Sequence, residues 1–413
     1  MVHGGSEAAL HRALWEAVQA ELVLPLKGAY RFLHDRVREA AYSLIPEGER
    51  GAEHLRIGRL LAAHTQPQAI EENVFDIVSH LNRGAALITA AAERETLAEL
   101  NLRAGRRAKA ATAYAAALAQ FTAGSAMLAE DRWERRHELT FALELDVAEC
   151  EYLSGEKAEA EARLADLARR AANVPDLAAL TRLRVEVFAS MERRDRAVDV
   201  GLDYLRRVGI VWSAHPTQEE VRKEFEWMWQ QIGERPIEAL LDLPLMTDRV
   251  ACATMDVLIA VTTAAWHTDE NLRCLATGRM ANLSLNHGNC DASCLAYAVL
   301  GTVLGPHFGD YKAAYRFGQL GLDLVERRGM GRFRDRAYLI FRNHVMPGMQ
   351  PVRACVSLAR HALDTAQRAG DINYATYSRH HLVTNLLASG DPLARCSGRP
   401  RPDSTTRARR GLV

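Results

Sequence analysis

Six glycines in the last third of the chain constrain its architecture more than any other feature. Gly288, Gly329 and Gly370 stand about 41 residues apart, and Gly309, Gly348 and Gly390 about 40 apart, offset by half a period. A helix often ends on a left-handed residue, a conformation glycine adopts at no steric cost. Each glycine is therefore a helix stop, and the spacing predicts repeats of two helices, each of roughly 15–18 residues. One turn lies inside each repeat and another joins it to the next.

Individual segments support this reading. Asp291 is the expected N-cap of a helix over 292–304, with Leu295, Ala298 and Val299 near one face. Gly309-Asp310-Tyr311 turns the chain. Ala314, Phe317, Leu320, Gly321 and Leu324 then recur at three- and four-residue spacing, the stripe of a second helix. The small residues Ala314, Gly318 and Gly321 let two backbones approach. Upstream, Thr217 and Glu220 form a Thr-x-x-Glu capping box. Val221, Phe225, Met228, Trp229 and Ile232 follow as one apolar face, closed by Gly233. Thr268, followed by Asp269 and Glu270, opens another helix, with acidic residues where the macrodipole favours them.

Composition limits the functional classes. The 413 residues carry 52 Lys+Arg and 52 Asp+Glu, so no global field steers the chain onto nucleic acid or an anionic membrane. Its most apolar stretch, 250–266, is broken by Asp256 and three threonines, short of the roughly 20 apolar residues a membrane span needs. The start has no basic-then-apolar leader pattern. The seven scattered cysteines, Cys150, Cys252, Cys274, Cys290, Cys294, Cys355 and Cys396, read as reduced thiols in a cytoplasmic protein.

Motifs for catalysis are incomplete. Gly155-Glu156-Lys157 lacks the glycine loop and strand of a phosphate-binding loop, and kinase signatures do not occur. His34-Asp35 resembles a phosphoacceptor pair only in that one step and reads as a helix start. His287, Cys290 and Cys294 have H-x2-C-x3-C spacing, which could bring three soft donors onto one turn for Zn²⁺. No fourth ligand is evident, so these are candidates only, and the expectation is no metal and no cofactor. His380 and His381 point to adjacent faces and cannot share an ion comfortably. Trp227 lies off the apolar stripe of its helix and is the expected interaction residue.

Gly309-Asp310-Tyr311 with Ala314, and Leu153-Ser154-Gly155 with Ala158 and Ala160, resemble the turn of tetratricopeptide (TPR) repeats. The period near 40 exceeds that family's usual value of about 34. The expected fold class is therefore all-α, a TPR-like α-α superhelical solenoid of antiparallel helix pairs.

Longer phrases resemble a second, larger family. They are the run from Tyr30 to Tyr42 (YRFLHDRVREAAY), the run from Leu55 to Leu61 (LRIGRLL), and EENVFDIVSHLN, AKAATAY and NLSLNHGN beginning at Glu71, Ala108 and Asn282. Over about residues 8–393 the chain is similar to the helical-repeat region of bacterial hybrids that join a serine/threonine-kinase domain, an AAA/STAND ATPase, a GAF domain and often a histidine kinase. The resemblance implies a winged-helix-like remnant at 1–60 ahead of a repeat array at 61–393, and the Arg, Pro, Ser and Thr content of 394–413 predicts a disordered tail. The abrupt change after Pro392 suggests an array cut short by a reading-frame change.

No catalytic residue of that family carries over, because none of its motifs occurs here. The expectation is a non-catalytic regulatory or scaffolding segment that binds a protein or small-molecule signal, with a kinase, ATPase or response regulator as partner. Neither nucleic acid nor membrane is expected to bind. Two alternatives remain: a subunit acting in trans on an ATP-dependent phosphotransfer system, and a functionless truncated gene remnant.

Overall fold

A computed structural model of the chain describes residues 7–26, 29–368 and 372–392. Gly370, Cys396 and the tail assigned to 394–413 lie outside the described residues. The chain forms two compact units, Met1–Arg169 and Arg170–Val413, and both are built of helices.

The first unit begins with α1 (Glu7–Gln19), the antiparallel pair β1 (Val23–Leu26) and β2 (Ala29–Phe32), and α2 (Asp35–Ser43). His34 is the residue before α2 and makes no side-chain cap, in keeping with a plain helix start. Then come α3 (Glu47–His64), α4 (Ile70–Arg83), α5 (Ala91–Ala110), α6 (Tyr114–Met127), the single turn α7 (Arg132–Arg135), α8 (His137–Leu153) and α9 (Lys157–Leu167). The amphipathic face of α4 buries Val74, Ile77, Val78 and Leu81 against Leu55, Leu97 and Leu100. Residue 60 falls inside α3, which packs on α4. The Leu153-Ser154-Gly155 turn joins α8 to α9 through Gly155 at φ 98°.

In the second unit the helices are α10 (Val174–Ser190), α11 (Arg194–Arg207), α12 (Gln218–Ile232), α13 (Arg249–Ala265), α14 (Glu270–His287), α15 (Asp291–Phe308), α16 (Tyr311–Arg328), α17 (Arg334–Ile340), α18 (Val352–Arg368) and α19 (Ile372–Ala388). The 15/16 and 18/19 pairs are helical hairpins, the TPR-like unit that the glycine spacing predicts. Gly288, Gly309, Gly329 and Gly390 all have positive φ, between 71° and 96°, which is why glycine stands at these stops. The stripe of α16 is buried as expected, from Ala314 through Phe317 to Leu324. Thr217 and Glu220 make both bonds of the capping box, at 2.7 and 3.2 Å.

Three local expectations change. Cys290, in extended conformation, precedes α15, so Asp291 is its first helical residue; the Cys290 amide is taken by the Ser293 hydroxyl at 3.0 Å. Asp269, not Thr268, caps α14, accepting from the Leu272 amide at 2.8 Å. The helix expected between Gly329 and Gly348 is not continuous. After α17 the backbone widens into a π-turn over Phe341–Val345 and then tightens into a 3₁₀ turn over Met346–Gly348. Pro347 donates no amide hydrogen there, and π-turns often mark functional positions within helices.

Candidate functional site

The widened turn forms one wall of a cavity of about 550 Å³ within the second unit, the size range of small-molecule sites. Ile259, Thr262 and Thr263 line it from α13, with Trp266 and His267 just beyond. Met280 comes from α14, and Leu295 and Val299 from α15. Arg336, Leu339 and Ile340 come from α17, His344 from the π-turn, and Tyr377 and His381 from α19. The walls are mostly apolar, with a few polar groups converging on them.

Those polar groups are unusual in their pairing. Thr263 returns its hydroxyl to the Ile259 carbonyl four residues back, at 2.9 Å. Thr262 is buried and its hydroxyl has no partner. Arg336 donates to the Thr263 hydroxyl at 3.2 Å. Among the described residues no aspartate or glutamate lines the cavity. The rings of His344 and Trp266 meet edge-on at 5.6 Å, and His344 and His381 at 6.1 Å. Burial lowers the pKa of His344. His381 is pushed down to about 4 by burial first, then by His344, His380 and Arg342. Both imidazoles are therefore neutral near pH 7, each with one donor and one acceptor nitrogen.

Immediately behind the π-turn, Arg342 is only 2% exposed. Its Nε donates to the Asn343 side-chain oxygen at 3.2 Å and one Nη to the Leu358 carbonyl at 3.1 Å. The other Nη is buried without a partner, as are the Nδ2 groups of Asn343 and Asn385. Burial lowers the arginine pKa to about 10.

The neutral histidines set an expected pH response. Unfolded histidine takes up a proton near pH 6.5, whereas His381 in the fold does so only near pH 4. Between those values the unfolded chain binds more protons, so stability falls as pH falls. Allowing for the screening of a partly exposed group, His381 should account for a loss on the order of 1 kcal/mol between pH 7 and pH 5. Urea unfolding at the two pH values checks this: His381→Gln should shrink the pH-dependent loss by that amount, and an unchanged loss would refute the assignment. His54 and His80, lowered mainly by burial in the first unit, act in the same direction.

The residues singled out from sequence fall elsewhere. His287 sits 3.5 Å from Asp248, Cys294 donates to the Asp291 carbonyl at 3.1 Å, and Cys290 neighbours Cys252. Burial pushes the Cys294 thiol up to about 12. Among the described residues, the His/Cys/carboxylate donors gathered within 4.8 Å are instead Glu270, Cys274 and His307. Their chemistry suits a divalent ion, but Arg273 lies 3.5 Å from Glu270 and burial raises the Cys274 thiol to about 11.

Trp227 is 39% exposed, and Trp229, assigned by periodicity to the buried face, is nearly as exposed at 37%. Arg279 lies 5.5 Å from the ring centroids of both Trp212 and Trp227 and pairs bidentately with the buried Glu224 at 2.7 and 2.8 Å. His380 is exposed while its neighbour His381 lines the cavity.

The chain is thus an all-α helical-repeat protein whose second unit holds an apolar cavity with an unpaired hydroxyl. No family model matches it. It is similar to Hybrid signal transduction histidine kinase G of Dictyostelium discoideum, 22% identical over 408 aligned residues. That alignment takes in 88% of this chain and 12% of the relative, so the chain spans a small part of the relative's length. A solved Signal Transduction ATPase with Numerous Domains (STAND) protein with a tetratricopeptide repeat sensor, from Pyrococcus horikoshii, aligns with 13% identity and a TM-score of 0.33, over 96% of this chain and 59% of that one. Among the described residues no helix is long and apolar enough to cross a membrane.

Proposed function

We propose that this chain is a non-catalytic regulatory segment of a multidomain signal-transduction kinase or ATPase, and that it takes up a small-molecule signal in the cavity of its second unit. The observation that carries the reading is the cavity itself, with mostly apolar walls and a few polar groups converging on it. The similarity to a hybrid signal transduction histidine kinase supports the signalling context.

Under this proposal, a kinase, ATPase or response-regulator module is the partner that reads the signal, and Trp227 is part of the contact surface. The segment at 1–60 is the winged-helix-like link to a nucleotide-binding module. The cavity joins α13, α15, the π-turn and α19, so a ligand there fixes elements that are far apart in sequence.

Thermal unfolding with a panel of decyl compounds bearing different head groups tests the reading. A ligand that binds only the folded chain stabilises it by about 2.7 kcal/mol at 100 times its Kd. At least one member should raise Tm in the wild type and fail to do so in Leu339→Trp, which fills the cavity. No rise with any compound, or an equal rise in both proteins, would refute the cavity as a ligand site.

A further inference from the structure

We propose that the cavity selects a ligand with an apolar body and a single carboxylate, its charged end held by Arg336. This rests on the reading of the cavity as a ligand site and names what that site takes.

The apolar requirement follows from the lining. Ile259, Leu295, Val299 and Ile340 offer no polar side-chain atom, and Trp266 adds an aromatic face. A wholly polar ligand would lose its hydration against these walls without recovering hydrogen bonds.

The sign of the charge follows from the charged group in the lining. Among the described residues Arg336 is the single formally charged group in the lining, and no carboxylate accompanies it. Its described hydrogen-bond partner is a neutral hydroxyl, Thr263, at 3.2 Å. A guanidinium is a planar fork of donors matched to a carboxylate, so Arg336 has donors to spare for an incoming anion.

A cationic head would be repelled by Arg336, and an alcohol would leave the guanidinium without a charged partner.

Isothermal titration of the full chain with decanoate, decanol and decyltrimethylammonium distinguishes these cases, since the tail is constant and only the head changes. Decanoate should bind one per chain, at least about tenfold tighter than decanol, with the cation weakest. Charge-assisted hydrogen bonds are strong, so Arg336→Gln should weaken decanoate roughly 10- to 100-fold and leave decanol within about twofold. Circular dichroism and Tm of that variant serve as the control for folding. Should the variant misfold, Arg336→Met, which removes the charge and keeps the apolar stem, provides a second reading, with decanoate again the compound that loses affinity. Decanol equal to decanoate, tighter binding of the cation, or unchanged decanoate affinity in a folded Arg336→Gln would overturn the carboxylate assignment while leaving the ligand site intact. Failure of all three compounds to bind would remove the ligand site as well.

Discussion

Gly321→Val should destabilise the second unit by about 3 kcal/mol, with Tm falling by roughly 6–12 °C. An ideal Cβ at this position would lie 2.4 Å from the Cys294 carbonyl oxygen and 3.2 Å from the Ala298 amide nitrogen. Both are backbone atoms of α15, so no rotamer change relieves the clash; α16 must move away from α15. Phe317, Leu320 and Leu324 lie on the same buried stripe, so that displacement opens the core on either side. Gly48 is the useful contrast. It sits in α3, where an added Cβ would meet no atom within 4 Å, so Gly48→Ala should be neutral or slightly stabilising through helix propensity. Thermal unfolding of the two variants checks the pair. A Gly321→Val chain that melts with the wild type would mean that α15 and α16 do not approach as described.

Arg342→Met should have a comparably large effect of opposite sign, stabilising the ligand-free chain by about 1–3 kcal/mol. Replacing a buried ionic group by an apolar one of similar length is often neutral or stabilising, because charge desolvation is avoided. Two arginine hydrogen bonds are lost, to Asn343 and the Leu358 carbonyl, at about 1 kcal/mol each. Against that stands a guanidinium with an unpaired buried Nη and no carboxylate partner. Urea unfolding decides the outcome. A loss of 2 kcal/mol or more would show that Arg342 is satisfied by its surroundings and holds the turn together.

Much of the fold was legible because its signals are local. Gly288, Gly309 and Gly329 stop helices through their own backbone conformation, and Thr217 and Glu220 cap α12 within four residues. The stripe on α16 repeats at the helical period. Asp291 was misplaced by one residue because Cys290, a poor capping type, is rescued by the Ser293 hydroxyl, a choice propensity does not foresee.

The interrupted helix after Arg334 was not legible, although Pro347 marked its end. A π-turn arises when packing inserts an extra residue, and Phe341, here against Gly318, carries no periodic sign of it. The cavity was hidden for a related reason. Thr262, Trp266, Arg336, His344 and His381 span more than a hundred residues of sequence and meet only once the helices stack. His380-His381 was visible as a pair, yet which ring turns inward depends on the face α19 presents to its neighbours. Trp227 stood out by lying off its stripe, while the exposure of Trp229 follows from how α12 meets its neighbours.

The central claim is that the cavity bounded by Trp266, His344 and His381 receives a ligand. A crystal structure of the chain grown with decanoate tests it most directly. The account predicts one molecule inside, its tail along Ile259, Leu295 and Val299 and its carboxylate on Arg336. An empty or collapsed cavity, with decanoate on the outer surface, would contradict it.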